Sequence, residues 1–169
     1  MAASLYRHLL FAADYDATHE EALLAKVAGL RAALGADLSL VHVVDSRGLH
    51  AGGTPVTLPR HHDDTVAEAS TNITTTAALV PHDRDALTDG ADDFLRRVAG
   101  RLGIDATRCL AVENDSVRDA IIDAARQAGA DLIVLGHGSR HWYSWFTASV
   151  AQGVLGRAPC DVLVIHLEG

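Results

Sequence analysis

Two glycines that follow an apolar run have the residue type and spacing that best fit a ligand site. Residues 132–135 lead directly into Gly136-His137-Gly138, and nine residues separate Gly138 from Ala148-Ser149. Glycines leave backbone N–H groups accessible to phosphate oxygens, and a hydroxyl at a helix N-terminus lies where the helix dipole favours anions. A strand-to-helix turn that needs small residues explains the same glycines, and helix capping explains Ser149. Both interpretations stay open at this stage.

Other polar residues fit catalysis or metal binding less well. Asp14 follows the first strand-like run, where an Asp commonly caps the next turn. His61-His62-Asp63-Asp64 has metal-ligand side chains, but adjacent residues point in different directions, so we interpret it as a solvated loop. His42 and His166 lie within predicted strands and are expected to be packed or hydrogen-bonded. Because no Ser/His/Asp or Cys/His set can be assembled, the sequence predicts no catalytic residue.

Composition limits the class of protein and its partners. The chain has 169 residues, 49% of them hydrophobic, which suffices for one domain with an ordinary core. A formal net charge of -8 without a basic run argues against nucleic acid as a partner. No apolar run approaches the roughly 20 residues of a membrane helix, so no membrane insertion is expected. Cys109 and Cys160 belong to no CxxC pattern and are predicted to be buried and inert.

The elements that position these residues alternate between strands and helices. Strand-like apolar runs occupy residues 7–13, 38–44, 109–112, 132–135 and 162–166, and helical stripes occupy residues 18–34, 87–102, 117–128 and 148–156. Gly35 and Gly129 each end a helix and are followed by Ala-Asp-Leu, while Ser116 is a predicted N-cap. This alternation predicts an open, doubly wound, five-stranded parallel sheet with helices on both faces.

Two segments depart from this alternation. Residues 46–84 contain Gly52-Gly53 and three prolines, and we interpret them as a variable loop or insertion within a single domain of residues 1–169. A helix at residues 65–79 is an alternative for part of this segment. Between Gly138 and Ala148 the chain concentrates aromatic residues in a protein with few of them, which suits filling a phosphate space or anchoring a partner. These residues are Trp142, Tyr143, Trp145 and Phe146.

Three stretches, taken in order, resemble the universal stress protein family. They are Arg7-His8-Leu9-Leu10-Phe11-Ala12-Ala13-Asp14, then Leu40-Val41-His42-Val43-Val44-Asp45, and then residues 131–166 with Leu132-Ile133-Val134-Leu135-Gly136 and Ala158-Pro159-Cys160-Asp161-Val162-Leu163-Val164-Ile165. The resemblance implies an adenine nucleotide alpha hydrolase-like, Rossmann-like fold and a cytoplasmic, homodimeric stress-response regulator without catalysis. It also implies that the final strands pair across the dimer, through Val162, Leu163, Val164, Ile165 and His166. A protein partner is possible.

One branch of that family binds ATP through a glycine motif, and the resemblance places the nucleotide contacts at six positions. These are Asp14, Val43, Gly136, Gly138, Ser149 and Val150. Here one residue, instead of two, separates Gly136 from Gly138, and Ala148 stands where the family has its third glycine. One extended residue spans about 3.3 Å, so a phosphate contact would be displaced. An ATP- or AMP-binding switch with at most slow ATP hydrolysis therefore remains the alternative to the regulator.

A dinucleotide-dependent dehydrogenase is disfavoured by the residues after the first strand. The glycine fingerprint of such enzymes follows the first strand, where this chain has Asp14-Tyr15-Asp16-Ala17. Because that segment contains no glycine, the fingerprint is absent from this position of the sequence.

Overall fold

The computed structural model describes residues 5–13, 20–45, 84–138 and 148–167, and the statements below refer to these ranges. The strands are β1 (His8–Ala12), β2 (Asp37–Asp45), β3 (Cys109–Asn114), β4 (Leu132–Gly138) and β5 (Asp161–Leu167). The helices are α1 (Glu20–Leu34), α2 (Arg84–Leu102), α3 (Val117–Ala128) and α4 (Ala148–Leu155), with a 3-10 turn, Ala106–Arg108, before β3. The predicted helix at residues 65–79, nearly all of the predicted insertion, the aromatic segment and Asp14 lie outside the described residues.

The five strands form one parallel sheet in the order β3-β2-β1-β4-β5. Strands covered on both faces need continuous apolar sequence. β1 meets this need, because Leu9, Leu10 and Phe11 are at most 1% exposed. The predicted fold class is confirmed.

Helices cover both faces of the sheet, because successive strand residues point to opposite sides. On one face, α1 and α2 pack against Leu9 and Phe11 of β1. On the other face, α3 and α4 pack against Leu10 and Ala12. The protein therefore has two apolar layers separated by the sheet, which is the doubly wound arrangement.

The predicted helix ends are confirmed where local sequence determines them. Gly35 and Gly129 have φ values of +59° and +63°, in the left-handed region that glycine adopts without steric cost. The Ser116 hydroxyl accepts a hydrogen bond from the Asp119 backbone N–H at 3.3 Å, as an N-cap does. These signals fix where α1 and α3 begin or end relative to the strands.

The start of β1 is fixed by the second Gly-Ala-Asp-Leu segment. The Asp131 carboxylate accepts hydrogen bonds from the backbone N–H groups of Arg7 and His8, each at 2.9 Å. Partial burial acts to raise the pKa of Asp131, but the hydrogen bonds from His8 and Arg7 hold that pKa below its ordinary value. The Asp131 N–H in turn donates to the His8 carbonyl at 3.0 Å. These bonds set the register of β1 against β4.

Within the described ranges, none of the helices combines the length and apolar character that crossing a membrane requires.

Candidate ligand site at the carboxyl edge of the sheet

The carboxyl ends of β1 and β4 mark the point where the chain changes direction across the sheet. The chain leaves β1 for β2 on one side, and it leaves β4 for β5 on the other. In open parallel sheets, ligands bind in the crevice outside the carboxyl ends of the strands at such a switch point. The candidate site is therefore the carboxyl edge of the sheet at β1 and β4.

β1 is shorter than both of its neighbours at this edge. Its last residue, Ala12, pairs with Val41 of β2 and with Leu135 of β4. β2 continues to Asp45, and β4 continues to Gly138. The ends of β2 and β4 consequently extend past the end of β1 on either side, with Val43 on β2 and Gly138 on β4.

Gly136 and Gly138 lie within β4, which corrects our prediction that they form the turn after the strand. Gly136 pairs with Ile165, and Gly138 pairs with Leu167 at the end of β5. Glycine is a frequent turn signal, but here the ladder to β5 extends the strand through both glycines. The connection to α4 begins after Gly138, so a phosphate-binding role for this backbone stays a prediction.

Packing against α1 favours a small residue at position 136. A Cβ atom added at Gly136 would overlap Cδ2 of Leu23 and lie 3.2 Å from Cδ1 of the same side chain. Gly136 is not among the described glycines with positive φ, so its conformation does not require glycine. The Leu23 side chain would have to shift to admit a larger residue, so this contact favours glycine here.

His42 holds the chain at the end of β1. Its side chain is 4% exposed, and its Nδ1 donates a hydrogen bond to the Ala13 carbonyl at 2.9 Å. Its ring packs edge-on against Phe94 of α2, with the ring centroids 5.1 Å apart. The prediction that His42 is packed and hydrogen-bonded is confirmed. Its role in positioning the residue before Asp14 was not predicted, although a polar ring in an apolar strand was the available signal.

The first turn of α4 contains the predicted residues Ser149 and Val150. Val150 packs against the apolar cluster that includes Val43 of β2, which is 7% exposed. The first turn of α4 therefore borders the same apolar cluster to which the carboxyl end of β2 belongs.

Side chains from α3 hold α4 in place. The Arg118 Cδ atom would lie 2.5 Å from a Cβ atom at Gly153, so this glycine makes room for the arginine. Arg118 makes two hydrogen bonds of 3.0 Å to Asp119, and Arg157 reaches the same carboxylate at 3.3 Å. The bonds from Arg118 and Ser116 lower the pKa of Asp119 to about 2. The carboxylate is therefore ionised at neutral pH and connects α3 to the end of α4.

Neither a metal centre nor a reactive thiol emerges from the residues the structure describes. No group of three or more His, Cys, Asp or Glu side chains there is placed to hold a metal ion, and His61-His62-Asp63-Asp64 lies outside the described residues. Cys109 and Cys160 are partly buried free thiols, and burial raises the pKa of each. A raised pKa lowers the thiolate fraction, and the thiolate is the nucleophilic form.

Comparison with known proteins gives the family. The model of the universal stress protein family matches residues 5–166. The chain belongs to the universal stress protein family.

Relatives of this universal stress protein match over nearly their whole length. Universal stress protein A homolog 2 of Coxiella burnetii is 26% identical over 164 residues, which are 97% of each chain. A solved protein from the universal stress protein family of Burkholderia pseudomallei is 28% identical, with a TM-score of 0.59 and coverage of 97% of this chain and 98% of that one.

A third similar structure contains a nucleotide. It is the universal stress protein from Archaeoglobus fulgidus in complex with dAMP, with a TM-score of 0.53, 18% identity and coverage of 95% of this chain and 98% of that chain. At this identity, the likeness shows the shared fold.

Proposed function

We propose that this universal stress protein acts by binding, as a homodimeric stress-response regulator of the cytoplasm without a catalytic step of its own. The observation that supports this proposal is the sequence and position of β5. β5 is an outer strand of the sheet, and it has four consecutive apolar residues between Asp161 and His166. An outer strand has one row of N–H and C=O groups without a strand partner, and an apolar outer strand needs cover to avoid aggregation.

A second copy of β5 is the cover that fits this strand. A two-fold axis beside β5 pairs the two strands antiparallel and uses the same residues from both copies. Leu163 is 36% exposed, and Val162, Val164 and Ile165 are half-buried in the single chain. These four side chains alternate between the two faces of the sheet, so pairing buries apolar surface on both sides. The predicted interface thus contains Val162, Leu163, Val164, Ile165 and His166.

Sedimentation velocity between about 1 and 100 µM protein tests the dimer. A species of twice the chain mass of 17.9 kDa is expected across most of this range. A protein that sediments as a monomer at all these concentrations would contradict the proposal.

Adenine nucleotide binding is the second candidate function, supported by the staggered carboxyl edge at the switch point. The end of β1 lies between the longer strands β2 and β4 at the position where open parallel sheets bind ligands. The similar structure from Archaeoglobus fulgidus contains dAMP. In this proposal, Asp14 contacts the ribose and the Val43 backbone contacts the adenine.

The phosphates of the nucleotide would lie beside β4 and the first turn of α4. Gly136 and Gly138 contribute backbone N–H groups, and Ser149 and Val150 lie where the N-terminus of α4 favours an anion. The nucleotide would act as a switch ligand with at most slow hydrolysis of ATP.

Calorimetric titration with AMP, and with ATP and Mg²⁺, tests this second function. Saturable binding is expected, and Asp14→Ala should weaken it about tenfold or more, since a hydrogen bond to a charged group contributes about 1.5–3 kcal/mol. Asp123→Ala is the matched control, because Asp123 is an exposed carboxylate on α3 paired with Arg126. A silent titration at millimolar nucleotide would exclude the nucleotide switch and leave the dimeric regulator standing.

A further inference from the structure

A cavity of about 420 Å³ lies at the opposite edge of the sheet from the candidate nucleotide site. We call it the amino-edge cavity. It is lined by the first residues of three strands, which are His8 of β1, Asp37 of β2 and Cys109 of β3, and by Ala128 at the end of α3. Its volume falls within the range of about 300–1,000 Å³ that is typical of small-molecule sites.

The middle of the amino-edge cavity is apolar because α3 has small residues there. Ala124 and Ala128 are four residues apart and therefore lie on the same side of the helix. Ala124 and Leu10 are 2% and 1% exposed and close the floor of this space, whereas Ala128 is half-buried and Leu110 is 37% exposed. A larger residue at position 128 would fill the open part of this space, so the cavity depends on the small Ala128 of α3. The open apolar surface of the cavity is therefore contributed by Ala128 and Leu110.

The inner end of the amino-edge cavity has a hydrogen-bonded pair. His8 Nε2 and Ser39 Oγ are 2.8 Å apart, and Ser39 is only 9% exposed. The two residues are diagonal neighbours, since His8 pairs with Asp37 and Leu10 pairs with Ser39. The Ser39 hydroxyl retains an acceptor site when it donates to the histidine, and it retains its proton when it accepts. The Ser39 hydroxyl can therefore accept a hydrogen bond from a ligand donor or donate one to a ligand acceptor.

The rim of the amino-edge cavity has one charge of each sign. Arg108 Nη1 lies 3.4 Å from Asp37 Oδ2, and the two side chains are 40% and 64% exposed. An anionic ligand would be repelled by the Asp37 carboxylate, and a cationic ligand would be repelled by the Arg108 guanidinium. A ligand with both charges complements the rim, because its ammonium faces the carboxylate and its carboxylate faces the guanidinium. Exposed ion pairs contribute little to stability, so exchanging this one for a ligand costs little.

We propose that the amino-edge cavity binds an aromatic α-amino acid whose ring has a polar atom. The zwitterionic backbone lies at Asp37 and Arg108, the ring lies between Ala128 and Leu110, and the polar ring atom reaches Ser39. Asp37 and Ser39 are two residues apart on one strand, about 6.6 Å along it, which is comparable to the reach of such a side chain. The site is independent of the nucleotide and dimer proposals, since it uses neither the carboxyl edge nor β5.

NMR of ¹⁵N-labelled protein with four probes tests the site and its charge pattern. L-tryptophan should shift the amide signals of Leu110, Gln127 and Ala128 in a saturable manner at millimolar concentration. Tryptamine and indole-3-propionate each lack one charge and should bind about tenfold more weakly or worse, since each leaves one rim residue without a counterpart. L-phenylalanine lacks the polar ring atom and should bind severalfold more weakly than L-tryptophan.

Two variants and a matched control locate the binding. Ala128→Met fills the amino-edge cavity and should abolish the shifts, while Ala33→Met, at an exposed alanine of α1, should leave them unchanged. Ser39→Ala should bring the affinities of L-tryptophan and L-phenylalanine together, and it keeps the test decisive if Ala128→Met does not fold. The proposal is overturned if 20 mM L-tryptophan gives no saturable shift, or if tryptamine or indole-3-propionate binds as tightly as L-tryptophan. It is also overturned if the shifted amide signals belong to residues away from the amino-edge cavity.

Discussion

The two outer strands of the sheet, β3 and β5, expose a leucine to nearly the same extent. Leu110 of β3 is 37% exposed, and Leu163 of β5 is 36% exposed. β3 begins at the partly buried Cys109, β5 directly follows the partly buried Cys160, and each strand pairs with an inner strand on one side only. Side-chain exposure alone therefore does not distinguish which outer strand forms an interface.

The charges on the two strands differ. β3 has Glu113 near its end and Arg108 immediately before its start. β5 has four uninterrupted apolar residues, and the Asp161 carboxylate at its start accepts a hydrogen bond from the Tyr6 hydroxyl at 2.9 Å. Charged side chains on an outer strand oppose pairing with another chain. The comparison predicts that charge placement, more than exposure, decides which outer strand pairs with a second copy.

The largest expected effect comes from a charge placed on β5. Leu163→Glu should weaken the dimer about a hundredfold or more, because two-fold symmetry introduces the charge twice and opposes like charges across the interface. Leu110→Glu is the matched control at equal exposure and should leave the dimer intact. Sedimentation velocity of both variants measures the effect, and equal weakening by the two substitutions would erase the distinction between the strands.

Removing the charge from β3 should give a smaller effect of opposite sign. Glu113→Val extends the apolar part of β3 and should raise association through that edge roughly tenfold, equivalent to about 1.4 kcal/mol. Species larger than a dimer are expected by sedimentation at the highest concentrations. A variant that remains dimeric at every concentration would show that Glu113 does not protect this edge.

The smallest expected effect concerns Tyr6, whose hydroxyl donates a hydrogen bond to the Asp161 carboxylate. The hydrogen bond to Asp161 raises the pKa of the Tyr6 phenol above its ordinary value of about 10. Because the folded pKa is the higher one, the stabilisation is present below that ordinary value and is lost as pH rises through the folded pKa. The thermal denaturation midpoint of the Tyr6→Phe variant should therefore lie slightly below that of the wild-type protein at pH 8. The two midpoints should converge at high pH. A difference that stays constant with pH would contradict this assignment.

The sequence predicted the parts of the fold that local physics determines. The ends of α1 and α3 at Gly35 and Gly129 follow from the left-handed conformation that glycine favours, and the parallel sheet follows from apolar strands alternating with helices. The length of β4 was not predictable in this way. The Leu23 side chain of α1 packs over Gly136 and favours a small residue there, and such a contact between distant parts of the chain leaves no local signal.

Of the two candidate sites, the sequence indicated one and not the other. The sequence indicated Val43, Gly136 and Gly138, and the structure brings them to one edge because parallel strands share their carboxyl ends. The amino-edge cavity was not predicted. Its His8 and Ser39 meet diagonally across two strands, and this contact depends on a register that the sequence does not state.

Hydrogen exchange followed by mass spectrometry tests most directly which outer strand the second copy covers. Backbone N–H groups that enter a strand pair exchange more slowly, and the dimer forms only when the concentration permits. Peptides containing residues 161–167 should exchange more slowly at 100 µM than under dilute, monomeric conditions, while peptides containing residues 109–114 should exchange equally in both. Protection of residues 109–114 with concentration, or no change at residues 161–167, would contradict the account.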